Sequence, residues 1–321
     1  MSQDNVTEVE YVKPKLYRRW FSFLIDAVLT LLVGMVLFSL SSFIVQKTPS
    51  HVLLVQERGE IQKSTSIYDQ DGNLLILTVG KSKDPVEEKK NTLYQAVESF
   101  YRDFSYFSDR NAYYQDYQNR KKEAKTEKGN PMFVYDGETE TYIEQADVLT
   151  KDYYDFYYRE IDRYLVSYLS LNPRYRKITV DLFLIFVLSL FLSMTVSFIL
   201  FFLVVPLILK RGHKTIGMYL FHLSFVSVEA LNVTTGKFIL RFVLEFFIGY
   251  LLSIFTFFLP LLVSLTMMHL SKAGQDFFDY VTNTYVVDTS KRDVYLDYSE
   301  FRSRQEQSRK TRIEDKDYRP S

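Results

Sequence analysis

Two pairs of opposite charges interrupt otherwise apolar stretches of this chain, and any chemistry it performs is to be sought there. Arg19 and Asp26 lie in RRWFSFLIDAVLTLLVGMVLFSLSSFIV. On a helix they share a face two turns apart, with the carboxylate deeper by about 10 Å at 1.5 Å per residue. Arg241 and Glu245, in KFILRFVLEF, stand at the i, i+4 spacing that brings helical side chains together. A charge in the middle of a membrane helix costs roughly 2.5–3.5 kcal/mol on insertion scales, so such residues are functional candidates. Counted inward from the helix ends, Asp26 is about 9 Å along its helix and Glu245 about 10–12 Å along its own, with Arg241 between. The three could meet, and a proton and a cation would then compete for Asp26 with Arg19 or Arg241 as counter-charge. Structural roles stay open beside this: Arg19 as an interface anchor, Asp26 as a hydrogen-bonding group between helices, Arg241 and Glu245 as a self-neutralising pair.

These residues need membrane helices to position them. The run from Trp20 to Val45 is long enough to cross a hydrocarbon core of about 30 Å with tilt to spare, and Trp20 stands where an interfacial aromatic would. It is too long for the apolar core of a signal peptide, contains Asp26 and is followed by no A-x-A site, so an uncleaved anchor is expected. A second span is read in 178–209, ITVDLFLIFVLSLFLSMTVSFILFFLVVPLIL, most simply Leu182 to Val205. The third apolar region, Phe238 to Leu270, would be roughly 50 Å long as one helix, and Pro260 predicts a break or turn within it.

Average composition conceals this plan. Mean hydropathy is near zero and 39 basic residues balance 39 acidic ones, because apolar spans are averaged with a polar middle. Residues 47–177 hold 20 basic and 22 acidic residues and 16 of the 25 tyrosines. Alternation around Asp71-Gly72 predicts a hairpin, as does Asp136-Gly137 in MFVYDGETETYI. Tyr94, Val97, Tyr101 and Phe104 recur at helical spacing, and so do Tyr154, Tyr157, Ile161, Leu165 and Tyr168 in a helix opened by Thr150 and ended by Asn172-Pro173. A small α+β domain with its own core is expected, its tyrosines forming either that core or a ligand platform. Its slight negative charge argues against nucleic acid.

The absence of cysteine removes disulfides, thiolate metal sites and thiol catalysis, while the four histidines form no metal or triad spacing. No catalytic set, metal or cofactor is therefore expected, and the chain is not read as an enzyme. Basic residues gather before the first span (segment 1–19) and in 210–237, which places both in the cytoplasm and the insert outside. Segment 288–321, with nine basic and eight acidic residues, is read as a flexible or weakly helical tail.

The segment RRWFSFLIDAVL resembles the opening of the RDD family of bacterial membrane proteins, named for one arginine and two aspartates. There the arginine begins the first helix and the first aspartate lies within it, which maps onto Arg19 and Asp26. The stretch HKTIGMYLFHLSFVSVEALNVTTGKFILRFVLEF is similar to a later motif of that family, matching it at Thr215, Gly217 and Arg241. FDYVTNTYVV resembles the family's last motif, which puts the second aspartate on Asp279 and keeps Thr284. The chain departs from the pattern at His213, Met218, Phe278 and Asn283, and the basic residues before the last motif are reduced to Lys272. The resemblance excludes the insert.

Residue pattern and resemblance together predict an α-helical membrane protein with three to four transmembrane helices and an inserted extracytoplasmic α+β domain, multi-pass in the cell membrane. The first helix is 20–46, the insert 47–177, the second helix 178–209, and 238–287 a membrane hairpin or one long third helix. For Asp279 to approach Arg19, that region must cross and return. Transport of a small ion or solute, in a homo-oligomer or membrane complex, is the function the resemblance implies. The alternative is an anchored binding or scaffold protein whose external domain engages an envelope component.

Overall fold

The computed structural model describes residues 11–103 and 110–317. Phe104, most of the N-terminal segment and the last four residues lie outside these. The chain divides into two compact units, one of residues 1–41 with 189–321 and one of residues 42–188.

The chain enters helix α1, Leu16–Gln46. It is apolar all round, with Ser22, Asp26 and Gly34 its buried residues. The unit of residues 42–188 follows. Helix α2 (Pro49–Ser64) starts at a proline, which presets the first helical turn. The hairpin expected from the alternation here does not form. Asp71-Gly72 instead makes a tight turn closed by an isolated Tyr68–Leu74 bridge, with the Asp69 carboxylate accepting from Asn73 N at 2.8 Å. Helices α3 (Leu75–Lys81), α4 (Val86–Asp103) and α5 (Arg110–Glu123) lead to strands β1 (Phe133–Asp136) and β2 (Thr141–Glu144), an antiparallel hairpin around Asp136-Gly137 as the turn residues predict. Helix α6 (Thr150–Arg159) continues through a π-helical stretch, Glu160–Leu165, into α7 (Val166–Leu171).

The stripes contribute to the core in part: Val97, Tyr101, Tyr157, Ile161 and Leu165 are buried, Tyr154 and Tyr168 are half-buried, and Tyr94 is exposed. Tyr101, Tyr117, Tyr153 and Tyr157 are buried around Phe100, Leu93, Ile161 and Leu165. Two ion pairs are sunk in this core: Arg120 with Glu160, joined by the Tyr101 hydroxyl, and Lys121 with Glu98 at 2.7 Å, joined by the Tyr117 hydroxyl. Burial drives the Tyr117 phenol well above its ordinary range, with Glu98 adding to the effect, so it is a permanent donor to that carboxylate.

Helix α8 (Pro173–Ile199) passes through a π-helical stretch, Leu200–Val204, into α9 (Val205–Ile208). In the unit containing α1, Ser197 donates to Thr30 O at 2.8 Å and Ser41 meets Ser193 at 3.2 Å. Small polar residues thus join the two apolar helices, as they do between helices in lipid. The segment after α9 is more ordered than a basic loop: α10 (Ile216–Leu220), strand β3 (Leu223–Ser227) and α11 (Thr235–Leu244). A π-helical stretch, Glu245–Leu252, and α12 (Ser253–Phe255) extend α11. The predicted break occurs just before Pro260, and α13 (Leu259–Leu270) runs on from the turn. Helix α14 (Phe277–Thr282) precedes β4 (Thr284–Asp288), which pairs antiparallel with β3. The tail is helical, α15 (Tyr298–Asp317), with Phe301 and Tyr295 buried against Leu231.

Among the described residues, three helices are long and apolar enough to cross a membrane: Leu16–Gln46, Pro173–Ile208 and Thr235–Phe255. Only 6%, 11% and 22% of their most apolar windows are buried, so most of that surface needs an apolar solvent.

Candidate functional site

Charged residues of the first and third apolar helices collect around one cavity of about 110 Å³ in the unit built on α1. Arg19, Asp26, Arg241, Glu245 and Asp276 line it, with Trp20, Phe23, Phe278 and Met268 among its apolar walls. One water needs roughly 10–15 Å³ by such a measure, so there is room for several waters or a partly hydrated ion.

Asp26 is buried at 2% exposure. Its carboxylate accepts from Thr215 Oγ1 at 2.5 Å and from Gly217 N at 2.8 Å. Thr215 also caps α10, accepting from Met218 N at 3.2 Å, so one side chain starts that helix and holds it to α1. Gly217 makes the approach possible: a Cβ there would lie 2.1 Å from Ser22 O and 2.8 Å from Asp26 Oδ2. Asp26 therefore does not form the expected pair with Arg241 and Glu245. The Gly217 N–H and the Thr215 hydroxyl at the start of α10 occupy its carboxylate instead.

Those two residues belong to a second cluster on the same cavity. Arg241 donates from Nη1 to Glu245 at 2.7 Å, from Nε to Asp279 Oδ1 at 3.1 Å, and approaches Asp276 at 3.5 Å through Nη2. Its guanidinium lies 4.2 Å from the Phe225 ring centre. Arg19 donates from Nη2 to Asp279 Oδ2 at 2.9 Å and from Nη1 to Gly274 O. Asp279 is fully buried, and Thr284 supports it with a 3.4 Å contact from Oγ1 to Oδ1. All eight residues singled out from the sequence thus lie in this region, in two hydrogen-bonded groups rather than one.

Asp276 escaped the sequence reading. It caps α14, accepting from Asp279 N at 2.7 Å, and a D-x-x-D spacing ahead of an apolar helix is the signal that could have found it. Burial, and then the neighbouring Asp279, push its carboxyl up to about 6, against the pull of Arg241 and Arg19. His213, noted in the sequence only as a departure from the family pattern, has a defined place. It stacks on Phe238 with ring centres 4.6 Å apart, lies between the carbonyls of Pro206 and Val233, and is held below its ordinary pKa by burial.

No family model, curated protein or solved structure matches this chain. Arg19, Asp26, Thr215 and Arg241 line the cavity, and Gly217, Asp279 and Thr284 hydrogen-bond to these residues or to one another behind it. Among the described residues no cluster of His, Cys, Asp or Glu has the geometry of a metal site.

Proposed function

We propose that the unit carrying α1 is an RDD-like membrane module that binds a proton or a small cation at this site and moves it across the bilayer. The observation that carries the reading is a charge mismatch. Three carboxylates (Asp26, Glu245 and Asp276) line the cavity with two guanidinium groups, Arg19 and Arg241, and a fourth, Asp279, is bonded to both arginines. With every group ionised the cluster would be doubly negative, and buried uncompensated charge is expensive, so protons or cations must make up the difference. Glu245 reaches one arginine, Asp276 stands 3.5 and 3.7 Å from Arg241 and Arg19 without a short bond to either, and Asp26 is held by neutral donors; these three are where occupancy can change.

The insert of residues 47–177 is read as extracytoplasmic and as the part that meets the outer environment. The membrane is taken to be the cell membrane, with the N-terminus cytoplasmic.

The test compares wild type with Asp26→Asn, purified and reconstituted in liposomes, for proton movement driven by sodium or potassium gradients. Cation-dependent flux in the wild type, lost in the variant with insertion intact, is the expected result. Flux retained in Asp26→Asn removes this mechanism. One feature favours a second reading, an anchored binding protein: Thr215 and Gly217 close both oxygens of Asp26, as a structural clamp would. Absence of flux in both proteins, each correctly folded, favours that reading.

A further inference from the structure

We infer that the hairpin formed by α11 to α13 is re-entrant: it enters the bilayer from the face that carries the start of α1, turns among acyl chains beyond the mid-plane but short of the opposite face, and leaves by the same face. This rests on the membrane reading proposed above.

The two feet of the hairpin are fixed at one level. On the ascending arm, Arg241 shares the Asp279 carboxylate with Arg19, so both guanidinium groups lie at the same depth. On the returning arm, the carbonyls of Ser271 and Lys272 accept from Lys13 Nζ at 3.3 and 2.8 Å, and Gly274 O accepts from Arg19. Lys13, Arg19 and the adjoining Trp20 mark the entry of α1, where charges and an indole belong at the interface.

Length then decides how far the hairpin reaches. From Arg241 to Phe255 is about 21 Å at 1.5 Å per residue, and from Leu270 back to Leu259 about 17 Å. From Arg19 to Ser41, α1 rises about 33 Å on the same measure, enough for a hydrocarbon core of about 30 Å. The hairpin ends roughly 10 Å short of that. Thr235–Phe255 has the length of a span only because its first turns, Thr235 to Arg241, lie at or outside the level of Arg19.

The turn has the chemistry of lipid rather than water. Phe257 is 91% exposed, Phe255 79%, and Phe258 and Leu259 59% each. No Asp, Glu, Lys or Arg occurs from Phe246 to Ser271. Phe257 and Phe258 both adopt positive φ, 50° and 64°, where a turn in water would favour Gly, Asn or Asp. Inside a bilayer the polar turn formers are the costly choice and phenylalanine is not. The backbone is satisfied locally, as lipid requires: Phe258 N donates to Ser253 O at 2.8 Å and Leu262 N to Phe258 O at 3.0 Å. The inner face of α13, through Ser264 and Met268, closes one wall of the charged cavity.

The chain has no cysteine, so single cysteines report their own surroundings. Phe257→Cys and Phe255→Cys are treated with a membrane-impermeant maleimide in right-side-out and in inverted vesicles, beside Glu138→Cys and Ser290→Cys. Positions 138 and 290 are expected to react from opposite faces, and 257 and 255 from neither until detergent is added. In parallel, Phe257→Trp in a Trp20→Phe background should be quenched more by lipids carrying a nitroxide deep in the acyl chain than by head-group-labelled ones. Reaction of position 257 or 255 from the face that labels position 138 overturns the proposal in favour of a full crossing. Reaction of 138 and 290 from one face overturns the membrane reading itself, and the hairpin assignment with it.

Discussion

Arg19 and Arg241 divide a single carboxylate between them: Arg19 holds Oδ2 of Asp279 at 2.9 Å, and Arg241 holds Oδ1 at 3.1 Å. One arginine opens α1 and the other sits in α11, so the fully buried Asp279 fastens the first helix of the chain to the foot of the last apolar hairpin.

Removing that anion should be severe. Asp279→Ala leaves two nearly buried guanidinium groups facing each other, and breaking a buried pair costs about 3–5 kcal/mol. Thermal unfolding of the purified protein in detergent micelles is expected to show a large fall in Tm, smaller for Asp279→Asn. A wild-type Tm in the alanine variant would mean that the ion network does not hold the helices.

Two glycines offer a matched test of packing. Gly217→Ala places a methyl group 2.1 Å from Ser22 O and should push α10 from α1, destabilising by about 1–3 kcal/mol and loosening the grip on Asp26. Gly236→Ala meets nothing within 4 Å and lies in the first turn of α11, so it should be neutral or stabilise by up to about 1 kcal/mol. Chemical or thermal denaturation of the two variants side by side checks the contrast.

Asp276 gives the site a pH dependence of defined sign. Its carboxyl is raised from 3.8 to about 6, so between those values the folded protein holds a proton that the unfolded chain has released. Its contribution to stability is therefore greatest in acid, falls as pH rises through that window, and levels off above it. The groups around it are Asp279, Arg241 and Arg19. The difference in Tm between wild type and Asp276→Asn, followed from pH 4.5 to 7.5, should change in this window and be flat above it.

In the unit of residues 42–188, burial separates two ion pairs. Glu160→Ala strands Arg120, which is stacked 4.0 Å from the Tyr164 ring centre and bonded to Tyr101, and should cost about 3–5 kcal/mol. Glu57→Ala breaks the exposed pair with Arg174 and should leave the melt unchanged. Resistance to limited proteolysis at rising temperature reads both.

How much of this was legible depended on whether the signal was local. Arg241 and Glu245 pair because four residues is one helical turn, and β1 and β2 fold back because Asp136-Gly137 sits between short apolar runs. Tyr101 and Tyr157, at helical spacing with Val97 and Ile161, point inward for the same reason. Depth along a helix, in contrast, placed Asp26 with Arg241 and Glu245, and that was insufficient. A depth coordinate does not say which face of α1 another element covers, and here the short α10 occupies it through Thr215 and Gly217. Strands β3 and β4 pair across nearly sixty residues, and no local pattern encodes such a partner. The alternation before Asp71 lost to a proline at the first turn of α2 and to helix-forming Gln, Glu, Arg and Lys after it.

Asp26 and Thr215 lie 189 residues apart in the chain. A ribosome adding about 5–20 residues per second needs roughly 10–40 s to make the second after the first. Throughout that interval α1 is already synthesised, while the hydroxyl and amide that will hold its carboxylate do not yet exist. Most of the delay is the time taken to translate the unit of residues 42–188. Lengthening that unit, or slowing its translation, prolongs the stage at which quality control meets a membrane helix with an unsatisfied acid.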